Sequence, residues 1–231
     1  MNVRFERSAR IVLANAERLV DEAGYLEYQE PPTTAFYLVQ LAREEIAKAF
    51  ILGLVYRGVI PWGNHILRAC KNHHCKQLLF LVTDYLNPAV EDDFERHIQK
   101  LVDQHFANVP AKIADAIHIL RYEKVGRWQS NNWVWAEEPI WDAEALKVAE
   151  GALDSFKQNA IYVCLARDGA VASTPSQLKV PRYSEQRDSA NRMVYVVKAL
   201  LGEEKYASLD LERIEEIFRV LFTEASEAKS A

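Results

Sequence analysis

The sequence predicts a mainly α-helical protein, an antiparallel helical bundle carrying one small β-hairpin insertion near residues 160–174. Three observations predict it. Apolar residues recur at alternating spacings of three and four along several long segments, the stripe of an amphipathic helix. Short connections rich in Pro, Gly and Asn join these segments, which favours antiparallel neighbours. One stretch, "NAIYVCLARDGAVASTP", leaves the helical period: β-branched and aromatic residues flank Arg167-Asp168-Gly169, a hairpin turn signal.

In chain order, the first helix is read from the stripe Phe5, Ala9, Val12, Ala16, Leu19 and Ala23. "QEPPTT" ends it, and Thr33 or Thr34 can cap a second helix with apolar positions Ala35, Leu38, Ala42, Ala49 and Gly53. Gly58, Pro61 and Gly63 stop that helix. Asn64 can cap a third, read as continuous to about Leu86 before Asn87-Pro88. Helices over about 89–107 and 111–124 follow, separated by Pro110. The segment 127–141 is turn-rich and holds four of the five tryptophans; it reads first as a packing loop or lid, second as a binding surface. A helix over about 142–157 leads to the hairpin, and helices over about 184–201 and 209–228 close the chain. No internal repeat, low-complexity tract or long linker divides it, so residues 1–231 are read as a single domain.

Composition narrows the function classes. At 49% apolar and 26% charged residues, the 231-residue chain is an ordinary globular one with a sizeable core. "MNVRFERSAR" leads into no apolar signal region, and no apolar run approaches membrane-spanning length. Cys70, Cys75 and Cys164 form neither a disulfide framework nor a CxxC pair. The expectation is a cytoplasmic protein with no membrane partner. A net charge of −5 argues against a general nucleic-acid coat.

The charge is unevenly spread. No acidic residue lies between Glu45 and Asp84, where Lys48, Arg57, Arg68, Lys71 and Lys76 give +5 and leave −10 for the rest of the chain. His65, His73 and His74 lie there too. That pattern fits either a solvated helix face or a confined anion site. On the second helix, Glu44 and Lys48 are four apart in the favourable order, worth about 0.2–0.5 kcal/mol if exposed. Glu45 lies one residue round from Glu44, so one acid can face solvent while the other faces the third helix. On the third helix His65, Arg68, Asn72 and Lys76 form one polar stripe, with His73 at its edge.

These residue types suit metal-independent RNA cleavage. An imidazole can take the proton from a ribose 2′-OH. An arginine fork can hold the phosphate, a lysine adds charge, and an asparagine can orient the histidine. Arg68 and His73 have an R-x4-H spacing, which on a continuous helix lies about 140° apart. The two would need a local distortion or a second chain to converge. A metal site from His65, Cys70, His73, His74 and Cys75 is the lesser reading, because a continuous helix spreads these ligands. No metal or other cofactor is expected.

Four pieces in order carry a family resemblance: "ANAERLVDEAGYL", "AFYLVQLAREEIAKAF", "NHHCK" and "IYVCLARDGAVASTP". Over roughly residues 10–200 the chain resembles the AbiV-type abortive-infection proteins, and so the wider HEPN superfamily of helical nucleases. The resemblance implies a HEPN-like bundle that dimerises, with arginine–histidine motifs of two chains meeting in one metal-free ribonuclease site used in phage defence. Carried onto this sequence, Arg68 with His73 or His74 would be catalytic. Glu44, Glu45, Lys48, Asn72 and Lys76 would support them. RNA would be the substrate and a phage protein a candidate activator. The alternative is a non-catalytic defence protein that binds a phage protein or RNA and blocks translation, its polar pairs serving to hold helices together.

Overall fold

The computed structural model describes residues 3–86, 147–148, 150–180, 182–203, 211–212, 214–215 and 218–219. Its elements are α1 (Val3–Tyr25), α2 (Thr33–Tyr56), α3 (Asn64–Lys71), α4 (His73–Leu86) and α5 (Ala152–Asn159). After these come β1 (Cys164–Leu165), β2 (Val171–Ser173), a 3-10 turn (Pro175–Gln177) and α6 (Tyr183–Leu200). The mainly helical architecture with one two-stranded antiparallel sheet is the one expected. The expected helices over 89–107 and 111–124 and the tryptophan-rich segment 127–141 lie outside the described residues.

Helix α2 is the centre of the fold. Ala35, Val39, Ala42, Ile46, Ala49, Phe50, Ile51 and Leu54 are buried, so apolar contact runs nearly round its whole circumference. A helix of that kind must be surrounded. Its most extensive neighbour is α1. The two run antiparallel: Ala23 near the end of α1 packs with Ala35 near the start of α2, and Asn15 meets Glu45. On α1 the buried positions are Phe5, Ala9, Leu13, Ala16, Leu19, Val20 and Ala23, the expected stripe with Leu13 in place of the half-buried Val12.

Helix α6 lies parallel to α2 and antiparallel to α1. The Tyr183 hydroxyl donates to Ala23 O at 3.1 Å at one end, and Arg10 Nη2 donates to Leu201 O at 2.9 Å at the other. Gly53 lies at the contact, where a Cβ would stand at ordinary van der Waals distance, 3.5 Å, from Leu200 Cβ. Phe218, fully buried, stacks edge-on against Phe50 at 4.9 Å and ties the chain's last described residues to the same core.

Four local expectations are corrected. Thr33 is buried inside the first turn of α2 and neither threonine caps it; Pro32 holds the cap position, and the turn is closed by Phe36 N donating to Pro32 O. Asn64 is the first residue of α3 rather than its cap, which is Gly63. The third helix is not continuous. Asn72 adopts an extended conformation (φ −81°, ψ 122°), its N–H closing α3 on Arg68 O while its side-chain Oδ1 accepts Cys75 N–H at 2.8 Å. One asparagine therefore ends α3 and caps α4, the position its short polar side chain favours. The helix expected over 142–157 is likewise interrupted by a turn at Glu150 and Gly151, after which α5 begins.

The hairpin forms where expected. Cys164 pairs with Ser173, and the Arg167-Asp168-Gly169 turn is closed by Gly169 N donating to Ala166 O at 3.0 Å. No helix among the described residues is long and apolar enough to cross a membrane.

Candidate functional site

The break at Asn72 turns the first residues of α4 toward α2. Glu44, on α2, is almost fully buried, and four side chains from two helices converge on its carboxylate. His73 Nδ1 lies 2.5 Å from Oε2, and Lys76 Nζ lies 2.9 Å from the same oxygen. Lys157 Nζ, from α5, lies 2.8 Å from Oε1, where Gln77 Nε2 also donates at 3.0 Å. Lys157 reaches Asp154 Oδ1 as well, at 2.8 Å, so its ammonium bridges two carboxylates.

Glu44, Lys76 and Lys157 are all buried while His73 keeps a side-chain exposure of 54%. Burial alone would raise the Glu44 carboxyl, but the Lys157 hydrogen bond and the Lys76 charge outweigh it and hold its pKa at about 2. Burial works against the Lys157 ammonium, yet the hydrogen bonds to Asp154 and Glu44 raise it above its ordinary value. The ionised Glu44 only accepts, so the Nδ1 facing it must carry the proton. That fixes the neutral tautomer of His73 and leaves Nε2 as the ring's basic nitrogen.

Its neighbour on α4 points elsewhere. A Cβ built on Gly151 would stand 2.9 Å from His74 Nε2, so the imidazole packs against bare backbone at the start of α5. Gly151 has φ +88°, which only glycine adopts without strain. Glycine is doubly required there.

Glu45 and Lys48 form a second cluster, on the α1 side of α2. Lys48 pairs with Glu45 rather than with Glu44, correcting the four-residue pairing expected from the sequence; Glu44 has turned inward to α4 and α5. Asn15 Nδ2 donates to Glu45 at 3.4 Å, and Asn15 Oδ1 accepts from Arg18 at 2.9 Å. Asn72 serves as the cap of α4 and so acts on His73 through the helix start. Arg68 sits exposed in the last turn of α3. Of the sequence-derived residues, then, the fold gathers Glu44, His73 and Lys76. It places Glu45 with Lys48 beside them, turns His74 toward α5 and leaves Arg68 at the surface.

Lys157, Asp154 and Gln77 were not read from the sequence. Lys157 offered one signal: helical spacing puts it on the same face as Leu153 and the buried Ala160. A lysine in an apolar stripe needs a buried counter-charge.

A divalent metal fits this cluster poorly. Glu44, His73 and Asp154 do present ligand atoms within 4.8 Å of one another. The two ammonium groups already neutralise both carboxylates, however, and Lys157 bridges them where an ion would sit. Nor do the cysteines offer thiolates: burial pushes the Cys70 thiol up to about 11, against the opposing charges of Lys48 and Lys76. Cys75 is buried in the core.

A family model described as AbiV matches residues 5–201, from the first turn of α1 to the end of α6. The chain belongs to the AbiV family. No curated protein and no solved structure is found to match it. AbiV membership makes it an abortive-infection, phage-defence protein of the HEPN type. The AbiV match covers the Glu44 cluster entirely, including Lys157, which lies more than a hundred residues further along the chain.

Proposed function

We propose that this AbiV protein is a metal-independent endoribonuclease that acts in the cytoplasm as a homodimer. The observation that carries the reading is the contact between Glu44 and His73. A buried, ionised carboxylate fixes the tautomer of a half-exposed imidazole, the arrangement by which a carboxylate prepares a histidine as general base. His73 Nε2 takes the proton from a ribose 2′-OH. The 2′-oxygen then attacks the adjacent phosphorus, and the 5′-oxygen leaves with a proton returned by an acid. The products are a 2′,3′-cyclic phosphate and a 5′-hydroxyl.

Arg68 is the phosphate clamp in this scheme. It lies on α3, across the Asn72 break from His73, and exposed. A second copy is the natural source of the arginine that meets a given His73, which makes the dimer part of the mechanism. Lys76 and Lys157 hold Glu44 ionised, and Asn72 sets where α4 begins. The trigger in this reading is a phage component.

The test is cleavage of RNA by purified protein in excess EDTA, with analysis of product ends. Cleavage that persists and leaves 2′,3′-cyclic phosphates is expected. Loss of all cleavage on chelation, restored by a divalent metal, would overturn the metal-free mechanism.

One observation favours a second reading. The Glu44, Lys76 and Lys157 network is buried enough to be purely structural, tying α2, α4 and α5 together in a protein that works by binding. Under that reading the folded wild-type protein cleaves no RNA and instead retains a phage protein or RNA.

A further inference from the structure

Helix α3 presents one face to solvent. Asn64, Leu67, Arg68 and Lys71 are exposed and share that face by helical spacing, while Ile66, Ala69 and Cys70 are buried behind them. The four exposed residues include two cations and no carboxylate, and no acid lies between Glu45 and Asp84 in the surrounding sequence. In a chain of net charge −5 such a surface is a local place for an anion.

Trp62 supplies an independent pointer. It stands just before α3, joined to it by the extended Gly63. Its ring packs on Phe5 of α1 with centroids 4.9 Å apart, yet the residue stays 42% exposed. Phe5 is itself buried, so the indole is held in place without being covered. A flat aromatic surface that is fixed and open is what a nucleic-acid base stacks on.

We propose that the exposed face of α3, with Trp62 at its start, is the track for the single-stranded RNA that flanks the cleaved bond. This rests on the ribonuclease reading for its anchor: a phosphate clamped by Arg68 lays the neighbouring nucleotides over the face on which Arg68 stands. Lys71, in the last turn of α3, attracts an adjacent phosphate by its charge. At the other end Trp62 stacks a base. The eight residues of α3 span about 12 Å at about 1.5 Å each. Stacked nucleotides advance about 3.4 Å, so the track takes about three to four of them. Stacking accepts any base, and the track is therefore tolerant of sequence.

Fluorescence anisotropy on the full chain tests this apart from cleavage. The probes are labelled 2′-fluoro oligouridines of two and eight nucleotides, which lack the attacking 2′-hydroxyl, and an abasic strand of eight units. The octamer is expected to bind about tenfold or more tighter than either the dinucleotide or the abasic strand. Trp62→Ala should weaken the octamer about tenfold and leave the abasic strand unchanged, while Trp62→Phe keeps most of the affinity. Lys71→Gln should weaken both long strands and lower the salt slope by about 0.7, the share of one phosphate on a single strand. If a melting curve finds Trp62→Ala unfolded, Leu67→Glu takes its place and should also weaken the octamer, by setting a negative charge against the strand. Octamer binding indifferent to these variants, or an abasic strand bound as tightly as the octamer, would overturn the proposal. So would folded wild-type protein that binds no octamer at near-millimolar concentration. Cleavage of ordinary RNA together with octamer binding that ignores Trp62 would leave the ribonuclease reading standing and the track fallen. Trp62-dependent binding without cleavage would leave the track standing and that reading fallen.

Discussion

Replacing Glu44 with glutamine keeps the side chain's shape and removes its charge, so Lys76 and Lys157 lose the buried partner they share. Removing one member of a buried ion pair costs about 3–5 kcal/mol, and Glu44→Gln should lower stability by that order in chemical denaturation. Acid makes the same change without mutation. The Glu44 pKa is depressed from 4.5 to about 2, so its contribution is present above pH 4.5 and lost as pH falls towards 2. Lys157 is raised above 10.5, so its contribution is present below that pH and fades only above it. Melting temperature against pH should hold a plateau between those limits and fall on the acid side, with the acid fall flattened in Glu44→Gln. The sequence made the composition of this cluster legible but not its pairing. Glu44, His73 and Lys76 could be singled out because no nearby acid neutralised the cations. The Lys157 contact could not, because it joins segments 113 residues apart.

At the scale of elements, two residues position the site by setting where helices begin. Asn72 caps α4, and Asn72→Ala should cost about 1 kcal/mol by loss of the Cys75 N–H acceptor. The same substitution favours a continuous α3–α4 helix, which would swing His73 away from Glu44. Gly151→Ala meets both a positive φ and the His74 ring 2.9 Å away, so a loss of about 1 kcal/mol or more is expected from thermal denaturation. His74→Ala in that background should recover only the steric part. Helical periodicity made α1, α2 and α6 readable, because each has a long apolar stripe that tertiary packing reinforces. It failed at Asn72, where the stripe His65, Arg68, Asn72 and Lys76 is compatible with an unbroken helix. The break is decided by one side chain capping the next turn while Lys76 is drawn to Glu44, a tertiary contact that local pattern does not contain.

For the whole molecule, the basic segment and the acidic remainder resolve into an interior arrangement. Lys76 is consumed within the bundle, while Arg68 and Lys71 stay exposed on α3. A site assembled from two copies makes a mixing prediction: Arg68→Ala and His73→Ala proteins, each inactive alone, should regain cleavage when their chains exchange. Only the mixed dimer joins an intact arginine from one copy to an intact histidine of the other. Family and fold class were legible from four short motifs in order. The convergence of α4 and α5 on Glu44 was not, because only the assembled bundle brings those helices together.

The most direct measurement of the central claim is the RNA cleavage rate of His73→Ala against wild type in excess EDTA, with melting curves of both. His73 is half exposed, so the variant should keep the wild-type melting temperature to within a few degrees. Its cleavage rate should fall by about 100-fold or more, the share a general base supplies. A folded His73→Ala protein that cleaves at the wild-type rate would contradict the account.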